Sequence, residues 1–177
     1  MKTIAVCVQN LTSGGAEKQS VLLAKAIVER YKVIYIVFNG ENVHQKYIEM
    51  LSEDERIEIV MFKGCLVSRF IQLCQCLKQK KVFALFSYLT AAGLYTSIAG
   101  RLIGISKIYP GIRNVTLPPM KTRINKFFTN YLATKTIINC YSGEQNFLNK
   151  LPLKAITSTI IYLALVLLLL LLAPKFL

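Results

Sequence analysis

Six short runs of β-branched, aromatic and other apolar residues recur along the chain: Thr3–Gln9, Lys32–Phe38, Ile57–Phe62, Val82–Ser87, Lys107–Ile112 and Thr136–Cys140. Most are nearly continuous in apolar residues, the pattern of strands covered on both faces. Between them the apolar spacing turns helical. Ala16, Leu23, Ala24 and Ile27 share a face, as do Phe70, Cys74 and Leu77, and Leu94, Ile98 and Leu102. The cleanest stripe is Ile124, Phe127, Phe128, Tyr131 and Leu132, at i, i+3, i+4, i+7 and i+8. Pro118 and Pro119 stand just before it and predict a fresh helix start. Strands alternating with helices predict right-handed crossovers and an α/β, doubly wound parallel sheet. Ligands of such sheets bind at the carboxyl ends of the strands.

The alternation stops near the end. Ala155 to Ala173 is a run of 19 residues without a charge, closing on the six leucines Leu167–Leu172 and flanked by Lys154 and Lys175. As a helix it would measure about 28 Å, near the thickness of a bilayer core. Three readings stand: a membrane anchor, a last strand followed by the aberrant end of a truncated gene, or a packed core helix. The expected division is therefore one domain over 1–154 and an apolar tail over 155–177.

Composition agrees with a single core: 177 residues, 54% of them hydrophobic. The formal charge of +13 is unevenly spread. From Ile59 to Gly143 there are 12 Lys and Arg and no acid, whereas residues 1–58 carry 7 basic and 8 acidic side chains. Such a stretch attracts anions, either phosphates or an anionic lipid surface, unless it is simply a solvated face. No nucleic-acid reader module is present, so nucleic acid is not expected as a partner. Five cysteines, an odd number, and no secretory signal suggest a reducing cytoplasm. Cys74 and Cys76 are too close for a usual metal pair and His44 is the sole histidine, so no metal is expected.

The candidate chemistry starts at the first loop, Asn10-Leu-Thr-Ser-Gly-Gly-Ala-Glu-Lys18, which leads from strand to helix. Gly14 and Gly15 permit close backbone approach, and a helix N-terminus offers free N–H groups and the positive end of a dipole. Together they suit a phosphate. The pattern is neither G-x-G-x-x-G nor a P-loop, and a plain turn would fit it equally well.

Three ordered blocks add a resemblance. Ile4 to Lys18 with Val21-Leu-Leu-Ala-Lys-Ala-Ile27 resembles the opening of family-four glycosyltransferases. Phe86-Ser-Tyr-Leu-Thr-Ala-Ala-Gly-Leu94, Ala99-Gly-Arg-Leu-Ile-Gly-Ile105 and Gly111-Ile-Arg-Asn114 resemble its second block, and Ile137-Ile-Asn-Cys-Tyr-Ser-Gly-Glu144 its third. The resemblance covers roughly residues 3–150 and implies the acceptor-side, Rossmann-like half of a GT-B fold. Members transfer a sugar with retained configuration from a nucleotide sugar, a co-substrate, and use no further cofactor. Carried over, Gly14 and Gly15 lie near the donor diphosphate; Ser87, Tyr88, Arg113 and Asn114 lie on the acceptor side. Many relatives have a histidine where this chain has Tyr88, which puts acid–base help from that position in doubt.

The family's Glu-x7-Glu motif belongs to the second domain. Glu41 and Glu49 match its spacing by coincidence, since they fall between the second and third strands. Only 27 residues follow Lys150, too few for a donor domain, so this chain alone is expected to be inactive. The implied acceptor is lipid-linked or a surface polysaccharide, as in lipopolysaccharide assembly. The implied location is the cytoplasmic face of the plasma membrane, with Lys121, Arg123, Lys126 and Phe127 toward anionic lipid. The alternatives are that the stripe of the last helix packs on the sheet, and that the domain is a non-catalytic phosphate-binding module.

Overall fold

The computed structural model describes residues 1–41, 43–112 and 118–138. In chain order the elements are β1 (Thr3–Val8), α1 (Gly15–Ile27), β2 (Lys32–Val37), α2 (Gln45–Ser52), β3 (Ile57–Met61) and α3 (Leu66–Gln79). There follow β4 (Val82–Tyr88), α4 (Thr90–Leu102), β5 (Lys107–Ile112), α5 (Pro119–Tyr131) and β6 (Ile137–Ile138). All six expected strands form, each within a residue or two of its predicted bounds; Asn139 and Cys140 lie outside the described residues.

The sheet runs β3-β2-β1-β4-β5-β6, and every neighbouring pair is parallel. Continuous apolar strands demand cover on both sides, and they have it. On one face Ile4, Val6, Val8, Val33, Tyr35 and Phe86 pack with Leu23 and Ile27 of α1 and Leu51 of α2. On the other, Ala5, Cys7, Ile34, Ile36, Leu85 and Ile108 pack with Leu73 and Leu77 of α3 and Ala99 of α4. Each large side chain so buried is worth about 1.5–3 kcal/mol. This is a Rossmann-like, doubly wound sheet.

Three helix faces differ from the spacing of large apolar residues. On α3 the buried set is Leu73, Cys76 and Leu77, with Phe70 and Cys74 only half-buried. On α4 the predicted face of Leu94, Ile98 and Leu102 is the wrong one. Leu102 is 70% exposed, and the buried side is Ala92, Gly93, Thr96, Ser97, Ala99 and Gly100. This helix is wedged between α3, α5 and the sheet, and it lies so close that only small residues fit. A Cβ at Gly100 would stand 2.9 Å from Ile108 Cδ1, and one at Gly93 would stand 3.1 Å from Phe128 Cζ.

On α5 the stripe does not pack on the sheet as a unit. Phe128 is buried, but Phe127 and Tyr131 are 49% and 66% exposed, their ring centroids 5.7 Å apart. The inward side is instead Asn125, Phe128 and Thr129, with Thr136 Oγ1 hydrogen-bonded to Thr129 Oγ1 at 3.2 Å. Among the described residues no helix is long and apolar enough to cross a membrane; the tail over 155–177 lies outside them.

Candidate functional site

The order of strands reverses between β1 and β4: from β1 the chain moves outward through α1 to β2, and from β4 outward the other way through α4 to β5. These two crossovers lie on opposite faces, so a crevice opens at the carboxyl ends of β1 and β4. Val8 and Tyr88 are register partners there. Two strand-to-helix turns border the crevice, Gln9–Gly14 and Leu89.

The first turn is held from several sides. Asn39 N–H donates to Gln9 O at 2.8 Å, Asn39 Nδ2 to Asn10 Oδ1 at 3.0 Å and His44 N–H to Leu11 O at 2.7 Å. Gly14 caps α1 with φ −75° and ψ 160°, ordinary extended backbone, and Gly15 likewise has no positive φ. The two glycines therefore do not serve a left-handed turn. At Gly14 the carboxylate of Glu17 folds back over the glycine, so that a Cβ there would displace this flexible side-chain end. Glu17 is buried and accepts a hydrogen bond from Thr12 Oγ1 at 3.3 Å. At Gly15 a Cβ would meet nothing within 4 Å.

Below Glu17, Ser20 Oγ donates to Glu17 O at 2.7 Å and meets the buried Tyr35 hydroxyl at 2.5 Å. With the serine proton committed to the carbonyl, Tyr35 is the donor of that pair. Burial pushes the Tyr35 hydroxyl well above its ordinary range, against a smaller opposing pull from Ser20, so it stays a neutral donor.

The second turn is a single residue, Leu89, at φ 71° and ψ 162°. This region belongs almost entirely to glycine and costs a side-chain-bearing residue about 1–3 kcal/mol. It is held in place by Leu89 N–H donating to Gly111 O at 3.1 Å. Ser87 and Tyr88 precede it, both buried, at 2% and 5% exposure. They point to opposite faces: Tyr88 packs in the cluster under α1, while Ser87 lies two residues beyond Leu85 on the α4 side. They do not line one surface together.

The remaining expected residues divide. Arg113 and Asn114 lie outside the described residues. Lys121, Arg123 and Phe127 are exposed on α5, with Lys126 half-buried. Met120, 74% exposed, joins Phe127 and Tyr131 on one side of the helix at i, i+7 and i+11. Sequence reasoning missed Met120, Leu89 and the part played by Glu17. The spacing of Met120 was legible; the backbone angle of Leu89 leaves no mark in a leucine. Among the described residues no group of three or more His, Cys, Asp or Glu is placed to hold a metal ion, and Glu41 and Glu49 fall in a turn and on α2.

The sheet order, the crossovers and the glycine-bearing first turn define one Rossmann-like half of a GT-B fold, and comparison with solved structures agrees. HepE from Anabaena, solved with UDP-glucose, superposes with a TM-score of 0.74 over 92% of this chain and 44% of its own, at 16% identity. MurG from Acinetobacter baumannii gives 0.60 over 81% and 42%, at 15% identity. A UDP-glucosyltransferase from Polygonum tinctorium gives 0.60 over 85% and 49%, at 11% identity. The chain thus spans under half the length of each, and at these identities the likeness is one of fold. No family model matches the chain, and no curated protein matches it in sequence.

Proposed function

We propose that residues 1–154 are the acceptor-side half of a retaining glycosyltransferase that takes its sugar from a nucleotide sugar. The reading is carried by Gly15, an exposed first residue of α1 with open space around it, at the point where the strand order reverses. A helix N-terminus without a side chain in the way lets a diphosphate reach backbone N–H groups. Glu17 holds its carboxylate on the Gly14 side, and nothing lies within 4 Å of where a Cβ at Gly15 would stand. Transfer needs a leaving diphosphate held between two domains, because positioning and charge stabilisation act together there. This half supplies one wall of that cleft. Its acceptor is lipid-linked or a surface polysaccharide, met at the cytoplasmic face of the plasma membrane. The aromatic and basic side of α5 supports that location.

UDP-glucose is the probe. Titrated into the 15N-labelled chain, it is expected to move the Gly15 and Ala16 amides in a saturable way, and Gly15→Val is expected to abolish the movement while the rest of the spectrum holds. No response at Gly15, or an equal one in the valine variant, returns the loop to a plain strand-to-helix turn.

A further inference from the structure

Helix α5 meets the domain with its less apolar side, Asn125, Phe128 and Thr129. Of residues 119–125 only Asn125 is buried, while Met120, Lys121 and Arg123 are exposed. Asn125 is wholly buried, and among the described residues neither its Oδ1 nor its Nδ2 has a hydrogen-bond partner. A buried carboxamide left unpaired favours any state in which water can reach it. The apolar side chains of this stretch lie elsewhere: Met120 and Phe127 are exposed and Ile124 is half-buried. In α1, by contrast, Leu23, Ala24 and Ile27 all go inward.

The other end of α5 is fastened. Arg101 Nε of α4 donates to Leu132 O at 2.7 Å, and Ala133 N–H donates to Phe128 O at 2.8 Å. Thr134 N–H then donates to Ile108 O at 2.8 Å, and its hydroxyl oxygen accepts from Ile108 N–H at 3.0 Å, which ties the chain after the helix to β5. Thr136 Oγ1 closes on Thr129 Oγ1 at 3.2 Å. Between the two ends Phe128 is buried, so close to α4 that a Cβ on Gly93 would stand 3.1 Å from its Cζ. Phe128 is the tenth residue of its helix and Gly93 only the fourth of α4. Both helices return from the carboxyl ends of parallel strands. Residues 119–125 therefore lie level with the start of α4, which borders the crevice.

We propose that α5 is a hinged helix. Its pivot is Phe128, its C-terminal end stays with the domain, and residues 119–125 open away from their seat and return beside the start of α4. The device belongs to the fold and does not depend on sugar chemistry. The unpaired carboxamide makes the closed state shallow, and the fastenings between Thr129 and Thr136 keep the opening from spreading. Lifted from its seat, a segment this short cannot stay helical in water, so each opening exposes its amides.

Amide hydrogen exchange of the full chain, resolved by residue, tests the hinge. The amides of residues 123–126 are expected to exchange as a block, with one common opening free energy. They should exchange faster than those of 129–133, and faster than those of 19–22 in the matching turns of α1. Simple fraying from the helix end would instead give protection that rises residue by residue, and such a gradation overturns the proposal. Asn125→Leu, of similar shape and with nothing left to hydrate, is expected to slow the block about five- to thirtyfold and to raise the melting temperature by about 2–4 °C. Faster exchange or a lower melting temperature in this variant would show the carboxamide to be satisfied in its seat, which also overturns the hinge. Arg101→Ala removes a fastening from an exposed side chain and spares the core. It is expected to speed exchange at Leu132 and Ala133 about tenfold, the worth of one hydrogen bond from a charged group, and so to shrink the contrast between the two halves. Unchanged rates at those two amides would refute the fixed end, and the hinge with it.

Discussion

Glu17 shows how one side chain changes the meaning of a motif. In sequence it is a favourable acid in a first helical turn. In the fold its carboxylate lies over Gly14, where any Cβ would push it aside, and it places a negative charge beside the turn that the donor diphosphate would approach. Glu17→Gln is expected to cost about 0.5–1 kcal/mol through the lost dipole interaction. It should nevertheless raise the affinity of the Gly15 amide for UDP-glucose. Thermal melts and the amide titration measure the two effects, and a fall in both would show the carboxylate to be purely structural. Leu89 permits a cleaner stability test. Glycine adopts its φ of 71° without strain, so Leu89→Gly is expected to gain about 1 kcal/mol after the loss of a half-buried side chain. A drop in melting temperature would mean that the leucine's contacts outweigh the strain.

The helices separate what was legible from what was not. The strands could be read because both faces are covered, so apolar continuity alone marks them. Helix α1 could be read because its core face uses Leu23 and Ile27. Helix α4 could not, because its buried face is written in Gly, Ala, Ser and Thr, residues that hydrophobic spacing scores as neutral. There the closeness of the packing, rather than the area of each side chain, fixes which residues go inward. Gly100→Val is accordingly expected to cost about 2–3 kcal/mol, since Ile108 and Leu85 must both give way. Leu102→Ser, on the face that spacing favoured, should change stability by less than about 0.5 kcal/mol. Chemical denaturation of the two variants checks the contrast, and a reversal of their order would restore the predicted face. On the candidate site, sequence located the first turn and the strand end at Ser87 and Tyr88, but not the turn at Leu89 or the divergence of Ser87 and Tyr88, because alternation along a strand fixes sides only once the strand's end is known.

At the scale of the whole chain the acids are unevenly placed, although Glu58 of β3 pairs with Lys80 at the end of α3. The acids, apart from Glu144, lie within residues 1–58, which supply α1 and α2; the segments forming α3, α4 and α5 have none. Helix α5 also exposes Met120, Phe127 and Tyr131. Each Lys or Arg near an anionic surface contributes about 1 kcal/mol, an attraction that salt weakens. The full chain is expected to bind anionic vesicles more strongly than neutral ones. Replacing Phe127 and Tyr131 with serine should lower the anionic binding by an order of magnitude or so and leave neutral binding unchanged. Equal binding to both vesicle types would reduce the uneven charge to an aid to solubility.

The parallel register has a consequence for the chain's birth. Thr3 of β1 is paired with Lys32 on one side and with Val82 on the other. A ribosome delivers the first partner early and the second much later. Until β4 emerges, a partial sheet of β3, β2 and β1 carries an unpaired edge along its most apolar strand, the kind of edge on which nascent chains cohere. No hairpin can shield it, since all the neighbours are parallel and each needs a crossover. The interval between the appearance of Val37 and that of Tyr88 is therefore one in which the β1 edge stands open, and a chaperone that holds extended apolar segments has work to do there.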